Sequence, residues 1–235
     1  MAATSNKQKV LNQFFSLLQK KGPSEQESRT VVESFVYAIC YEGTSRSLAD
    51  RAYNNLKTQF FDWNEIRVSS VKEVEEALEG LPDAEPRAQR IILFLQEVFE
   101  QTFSFDLEAL HKKKGGVKQA AQLLARYEAA SEHTVAWVVQ HCLDGHSLPL
   151  DEPTRRTAGR LGFIDAENKD RSHAQSSLEH LVPKAKGKEF IELIKHVAHE
   201  HCWEEEPDCA GCPLQAECPT GQTQPATSSR SRKPR

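Results

Sequence analysis

The stretch "CWEEEPDCAGCPLQAEC", residues 202–218, holds four of the six cysteines of this chain within seventeen residues. Their spacing is C-x6-C-x2-C-x5-C, from Cys202 through Cys209 and Cys212 to Cys218. Clustered cysteines in an intracellular protein are more often metal ligands than disulfides, because reducing compartments keep thiols reduced. The stretch therefore predicts a metal centre.

Two kinds of metal centre fit four cysteines. Structural zinc sites usually pair two C-x2-C knuckles, whereas here only Cys209 and Cys212 form one. A single compact loop with four thiolates is more typical of an iron–sulfur cluster. His196, His199 and His201 precede the loop and are alternative zinc ligands, although a helix with a solvated histidine face is the commoner arrangement. The spacing favours the cluster and leaves zinc open.

The rest of the composition is typical of a globular protein, with 235 residues, 38% hydrophobic, 27% charged and a net charge of −4. No apolar run approaches the ~20 residues that a bilayer-spanning helix needs, and the N-terminus "MAATSNKQK" lacks the apolar stretch of a signal peptide. We therefore expect an intracellular protein, cytoplasmic or nucleoid-associated, without a membrane partner. Cys40 and Cys142 lie in apolar segments and are expected in the core.

Apolar residues repeat at helical spacing along the whole chain. Three such faces are Val10, Phe14 and Leu17 or Leu18; Val31, Phe35 and Ala38; and Ile91, Leu95 and Val98. Segments rich in Gly and Pro separate the helices, and no stretch alternates strictly enough to indicate a strand. We expect eight to ten short helices and a disordered tail from about Pro219.

Two further segments, in the same order as in a known family, extend the pattern beyond the cysteines. With "LDEPTRRTAGRLGFI" (150–164), "NKQKVLNQFFSLLQ" (6–19) and the cysteine loop, the chain resembles the endonuclease III branch of helix-hairpin-helix DNA glycosylases. The first segment resembles the one that carries the family's catalytic aspartate, and the second resembles its opening helix. The resemblance runs from about residue 6 to residue 218.

This resemblance implies an all-α, two-lobed helix-hairpin-helix DNA glycosylase fold. A six-helix domain with a degenerate hairpin would cover residues 30–146, and residues 1–29 with 147–219 would form the cluster domain. Residues 220–235 would be a disordered basic tail. The four cysteines would hold a [4Fe–4S] cluster. Double-stranded DNA would lie between the lobes of a monomer, with the damaged base flipped out of the helix.

The resemblance makes Asp151 the catalytic candidate. In the family's reaction this carboxylate stabilises an oxocarbenium-like sugar and orients water, as carboxylates do in glycoside hydrolysis. A second interpretation needs no catalysis, because "DEPT" is a good helix start with Asp as N-cap and Pro in the first turn. The two roles are compatible.

His133 stands where bifunctional members of the family carry a lysine, eighteen residues before the aspartate (151 − 18 = 133). A lysine amine forms the Schiff base that permits strand cleavage, and an imidazole does not form that stable imine. We therefore expect no AP lyase activity. Monofunctional relatives also lack the lysine, so base removal stays open.

Three more positions depart from the family. The hairpin "YEAASEHT" (127–134) has Ala129 and Ser131 where glycines are expected, and positive φ would strain both. The loop after Cys202 is basic in DNA-binding relatives but acidic here, with Glu204, Glu205, Glu206 and Asp208. Four carboxylates would oppose binding to phosphates. Glu42 stands near the position of a glutamine that wedges into the base stack.

Three functions remain at this point. The leading interpretation is a [4Fe–4S] protein of base excision repair that acts on damaged or mismatched DNA, at best as a monofunctional N-glycosylase. The alternative is a catalytically inactive paralogue that keeps fold and cluster for DNA or protein binding. A small zinc protein is the third. If DNA binds, the basic stretches "HKKKGGVK" (111–118), "RRTAGR" (155–160) and "SSRSRKPR" (228–235) are the expected contacts.

Overall fold

The computed structural model describes residues 2–18, 28–165 and 170–223, and within these ranges all regular structure is helical, as the sequence predicts. The α-helices are α1 Ala2–Leu18, α2 Val31–Tyr41, α3 Arg46–Gln59, α4 Trp63–Val68, α5 Val71–Ala77, α6 Ala84–Thr102, α7 Gly116–Leu124, α8 Glu132–His141, α9 Glu152–Arg160, α10 Arg171–Leu181, α11 Gly187–Glu200 and α12 Pro219–Thr223. Short 3₁₀ helices cover Glu108–Lys112 and Lys184–Lys186. Within the described ranges, no helix combines the length and the apolarity needed to cross a membrane.

The chain forms two compact units. Unit 1 combines Met1–Glu25 with Leu150–Arg235, so that α1 packs in the same unit as α9 to α12. Unit 2 is Gln26–Pro149 and contains α2 to α8. The cysteine loop and Asp151 therefore belong to unit 1, whereas the hairpin and His133 belong to unit 2.

Capping side chains determine where several helices begin. Thr30 before α2 and Ser70 before α5 each form a capping box. The side chain of the cap residue accepts a hydrogen bond from the backbone N–H of a glutamate three residues later, and the carboxylate of that glutamate accepts one from the backbone N–H of the cap residue. Asp62 accepts a bond of 2.8 Å from the backbone N–H of Glu65 at the start of α4. Caps of this kind contribute about 1 kcal/mol each.

The core of unit 2 is built around stacked aromatic rings. The rings of Phe35 and Phe94 lie 3.8 Å apart and nearly parallel, and Tyr127 meets Phe94 edge-on at 5.2 Å. Cys40 is fully buried, which confirms the expectation for it. Cys142 is only half-buried, because it caps the end of α8, where its thiol reaches the Arg29 carbonyl at 3.6 Å.

The core of unit 1 contains Phe14, Phe163 and Phe190, whose ring centroids are 5.3 to 5.9 Å apart. The buried face of α1 includes Phe14 and Leu18, as predicted, but differs in its other residues. It consists of Leu11, Phe14, Phe15 and Leu18. Leu17 is 45% exposed and Val10 is half-buried, because the aromatic cluster turns the Phe14–Phe15 edge of the helix inward.

The disordered tail was predicted to begin at about Pro219, but the described structure continues to residue 223. Residues 219–223 form α12, where the backbone N–H of Gln222 donates to the Cys218 carbonyl at 3.0 Å. The Thr220 hydroxyl donates to the Arg160 carbonyl at 3.2 Å. These bonds fold the turn back onto the cysteine loop. Residues 224–235, including the basic stretch of the tail, lie outside the described residues.

Candidate functional site

All four loop cysteines line one cavity of unit 1. Cys202, Cys209, Cys212 and Cys218 surround about 370 Å³ of empty space, part of it open to solvent. Leu161 and Val197, from the ends of α9 and α11, contribute apolar wall. The loop thus places all four cysteines around the same cavity.

The arrangement of the cavity bears on both candidate metal centres. Among the described residues, no three His, Cys, Asp or Glu side chains form a set that could hold a single metal ion. A zinc ion needs its ligands around one atom, whereas in an iron–sulfur cluster each thiolate binds a different iron at the corner of a larger object. Four thiols that line one cavity supply the ligand set that a four-thiolate cluster would use.

The three histidines of the zinc alternative are not assembled into a site. His196 and His199 lie on α11, and only His201 lines the cavity, with its Nδ1 3.6 Å from Asp208 Oδ2. The expected solvated face is wrong for His199, whose Nε2 is buried without a hydrogen-bond partner. Burial, followed by the charge of Lys195, lowers the pKa of His199.

Two arginines of α9 hold the beginning of the cysteine loop. The guanidinium of Arg156 donates from Nε and Nη2 to the Cys202 carbonyl, at 3.2 and 3.0 Å. Arg160 donates to the carbonyls of Trp203 (2.5 Å) and Glu204 (2.9 Å), and its Nη1 is 3.5 Å from Cys202 Sγ. A planar guanidinium group has five N–H donors and can therefore donate to several carbonyl oxygens at once.

This arrangement changes the interpretation of the basic segment 155–160. Arg155 pairs with Glu152 at 2.8 Å, so each of the three arginines already contacts an acceptor within unit 1. The segment braces the loop, a role that sequence reasoning missed. The stretch 111–118 is different, because all of its residues are exposed.

Asp151 is the N-cap of α9, as its sequence context predicts. Its Oδ1 accepts from the Thr154 backbone N–H at 3.0 Å and from the Thr154 hydroxyl at 2.6 Å. Its Oδ2 accepts from the Nζ of Lys195 on α11, and both side chains of this ion pair are only 2% exposed. The catalytic role of Asp151 remains a prediction.

Lys195 is the residue of this site that sequence reasoning overlooked. A signal for it was present. In "FIELIKHVA" (190–198) the lysine occupies a helix face on which Ile191, Ile194 and Ala198 are all buried. A lysine at such a position is rarely buried without a partner of opposite charge.

His133 lies in unit 2 on α8 and is 1% exposed, beside Trp137 at a ring-centroid distance of 6.3 Å. Glu42 accepts hydrogen bonds from Arg90 Nη1 and from the Ser131 hydroxyl, both at 3.0 Å. Burial by itself would raise the pKa of Glu42, but the positive charges of His133 and Arg90 lower it below its usual value. The Glu42 carboxylate is therefore held in place, and it connects the end of α2 to the hairpin through Ser131.

Backbone donors of the hairpin are engaged within unit 2. The N–H of Glu128 donates to both Glu97 carboxylate oxygens, at 3.1 and 3.2 Å. The N–H of Ala130 donates to the Tyr127 carbonyl at 3.0 Å, and that of Ser131 donates to the Thr134 hydroxyl at 2.8 Å. These three N–H groups have acceptors of their own without a phosphate.

The expected backbone strain in the hairpin is wrong. Among the described non-glycine residues, positive φ occurs at Asp83, Phe103, Asp144 and Glu206. Ala129 and Ser131 do not adopt it, and Ser131 has the extended φ of −114° that an N-cap requires. The turn therefore closes in a conformation that alanine and serine accept without cost.

The acidic loop divides into a structural and an exposed part. Asp208 Oδ1 accepts from the Gly211 backbone N–H at 3.0 Å, which closes the turn around the central cysteines. Glu204, Glu205 and Glu206 have exposed side chains, and Glu206 is in the left-handed region at φ +48°. These three glutamates form one negative edge of the cysteine loop.

Comparison with known proteins identifies the fold. No protein-family model matches the chain. It is similar to a protein of Arabidopsis thaliana that is named as a candidate DNA glycosylase, with 23% identity over 160 residues, or 68% of this chain. The chain spans about half, 54%, of the length of that relative.

Two solved structures resemble the chain over nearly its whole length. Endonuclease III in a trapped covalent intermediate with DNA gives a TM-score of 0.71 at 16% identity, covering 93% of this chain and 97% of that one. A thermostable thymine-DNA glycosylase gives 0.68 at 15% identity, covering 94% and 99%. The chain therefore has the all-α helix-hairpin-helix fold of these DNA glycosylases, as the sequence motifs predict.

Proposed function

We propose that this chain is a [4Fe–4S] protein that acts in base excision repair on damaged or mismatched double-stranded DNA, at most as a monofunctional N-glycosylase. The observation that carries the proposal is the single cavity lined by all four loop cysteines, in a chain with the fold of endonuclease III. The fold match supports a DNA partner, and the exposed stretch 111–118 supplies positive charge for it.

Cys202, Cys209, Cys212 and Cys218 would hold the cluster, and Arg156 and Arg160 would keep the first part of the loop in place. A bound cluster would stabilise a loop that has almost no apolar core of its own. Asp151, fixed at the start of α9, would stabilise positive charge that develops on the sugar as the base departs. His133 offers no amine for a Schiff base, so the reaction would stop at an abasic site.

A glycosylase assay on a panel of lesion-bearing and mismatched duplexes tests this proposal. We expect base removal on at least one duplex, with strand breaks that appear only after alkali is added. Asp151→Asn, which keeps an oxygen acceptor for the α9 cap, is expected to lower the single-turnover rate by about a hundredfold or more, because the carboxylate charge is lost.

Borohydride added during the reaction completes the test. We expect no covalent protein–DNA adduct above background, because an imine is needed for trapping. Strand cleavage without alkali together with a trapped adduct would contradict the monofunctional assignment. A panel on which neither wild type nor Asp151→Asn releases any base would contradict the glycosylase assignment.

The second candidate function is a catalytically inactive paralogue that keeps fold and cluster for DNA or protein binding. Specific observations favour it: Asp151 is buried in an ion pair, and the hairpin N–H groups already have acceptors. The same panel separates the two functions. Duplex binding without base release, in a protein that carries its cluster, would favour this candidate.

The arginine brace leads to a prediction about the cluster. Arg160→Lys keeps the charge but removes the forked contact to the Trp203 and Glu204 carbonyls. A chelator is expected to remove iron about tenfold faster from this variant, because about one to two hydrogen bonds of ~1 kcal/mol are lost. Arg155→Lys is the matched control, since Arg155 bonds Glu152 instead of the loop. Equal rates in both variants would rule out the brace.

A further inference from the structure

The Asp151–Lys195 pair is buried to an extent that demands explanation. Both side chains are 2% exposed, and the lysine is among the largest fully buried side chains of the chain. Removing two charges from water costs several kcal/mol per ion, and only a close, hydrogen-bonded partner offsets this cost. Each of the two charges is therefore tolerated in the interior only because the other is present. For this reason, neither residue can be assigned a role without the other.

The geometry gives the carboxylate two fixed sides. Oδ1 is held by the backbone and hydroxyl of Thr154 at the start of α9. Oδ2 is held by Lys195 from α11, the helix that packs against α9. Each partner comes from a helix and not from a mobile connection, so the orientation of the carboxylate is determined by the packing of these two helices.

Without Lys195, the carboxylate would lose the ammonium group that donates to its Oδ2 while remaining buried. Desolvation disfavours the charged form of a carboxyl group, so loss of this partner would favour the protonated form of Asp151. A protonated Asp151 cannot stabilise a cation on the sugar. The hydrogen bonds from Thr154 would then orient a neutral acid.

We propose that Lys195 is a positioning residue, which holds the buried Asp151 carboxylate in its ionised form and in one orientation for the reaction. This inference rests on the proposed function, in which Asp151 acts on the sugar. It assigns the task of sustaining the charge of Asp151 to unit 1 itself, on α11, and not to the helix that carries His133 in unit 2.

The first test is a double-mutant cycle, in which the melting temperature of the full chain is measured for each variant. Lys195→Met, similar in length but uncharged, is expected to lower the melting temperature by roughly 10 °C, because it leaves a buried carboxyl group without its partner. Adding Asp151→Asn should restore most of that loss, since neither charge then remains. Lys186→Met, which breaks the partly exposed pair with Glu189, is the control and should shift the melting temperature by about 2 °C or less. Losses that simply add in the double variant would overturn the inference.

The second test measures whether the negative charge of Asp151 acts on a cation at the position of the sugar. Two duplexes carry an abasic-site analogue, one with a protonated pyrrolidine ring and one with a neutral tetrahydrofuran ring. Wild type should bind the cationic duplex at least about tenfold more tightly, because an ionised carboxylate attracts the cation. Asp151→Asn, Lys195→Met and Lys195→Gln should all lose this preference; the glutamine keeps an N–H donor without charge.

The outcomes distinguish the inference from the proposed function. If Asp151→Asn abolishes the preference but Lys195→Gln and Lys195→Met keep it, Lys195 does not position Asp151 and the inference is overturned. If wild type binds both duplexes equally, Asp151 does not act on the sugar. The proposed function and the positioning role then fall together, and coupled melting temperatures would mark the pair as purely structural.

Discussion

Replacing Cys212 with serine is expected to abolish the brown colour of the purified protein and to lower its melting temperature by roughly 10 °C or more. Wild type should contain about four irons and four sulfides, in line with four thiolates at iron–sulfur spacing. Of residues 202–218, all described, Leu214 alone has a fully buried apolar side chain. The loop would therefore depend on the proposed cluster for its stability, and losing a tightly bound group of this kind costs about 4 kcal/mol or more.

The comparison that isolates the cluster is Cys142→Ser. Cys142 is also a half-buried thiol, but it lies in unit 2, and its contact with the Arg29 carbonyl is one that a serine hydroxyl can make. This variant should keep its colour and its full iron content. Metal analysis and the visible spectrum give the result directly. Colourless wild-type protein with one tightly bound zinc would contradict the cluster, as would a Cys212→Ser protein with undiminished iron.

The features that the sequence predicted are those that local spacing determines. Four cysteines within seventeen residues leave few ways to arrange a loop, and the cavity in unit 1 gathers all four. The N-cap role of Asp151 follows from Asp and Pro at the start of a helix, which is chemistry within four residues. Helices α2 and α6 were visible because their apolar residues repeat at helical spacing over three turns or more.

The features that sequence reasoning missed depend on contacts between distant residues. Lys195 meets Asp151 across 44 positions, and Arg160 reaches Glu204 across the same separation. The sequence indicated a helix leading into Cys202, but not which charge the lysine buried on it would meet. The hairpin was misjudged for a different and local reason, because Ser131 was compared with a glycine when its own side chain caps α8.

Reversing the charge of Glu204 and Glu205 together, by Glu204→Lys and Glu205→Lys, is expected to tighten duplex binding by about tenfold or more at low salt. Both side chains are exposed, and Arg160 holds Glu204 through its backbone carbonyl, which the substitution leaves in place. Glu206 is left unchanged because its φ of +48° already strains a non-glycine residue. Each new phosphate contact should steepen the slope of log affinity against log salt by about 0.9.

The matched control for this pair is Glu76→Lys with Glu79→Lys, two exposed glutamates of unit 2 that give the same change in net charge. If the loop faces DNA, the loop variant should gain more affinity for the duplex than the control. Its slope of log affinity against log salt should also be steeper than that of the control, by up to ~1.8, which corresponds to two additional phosphate contacts. Binding titrations at several salt concentrations give both quantities. Equal gains in the two variants would show that only net charge matters, and that the acidic edge of the cysteine loop does not contact the phosphate backbone.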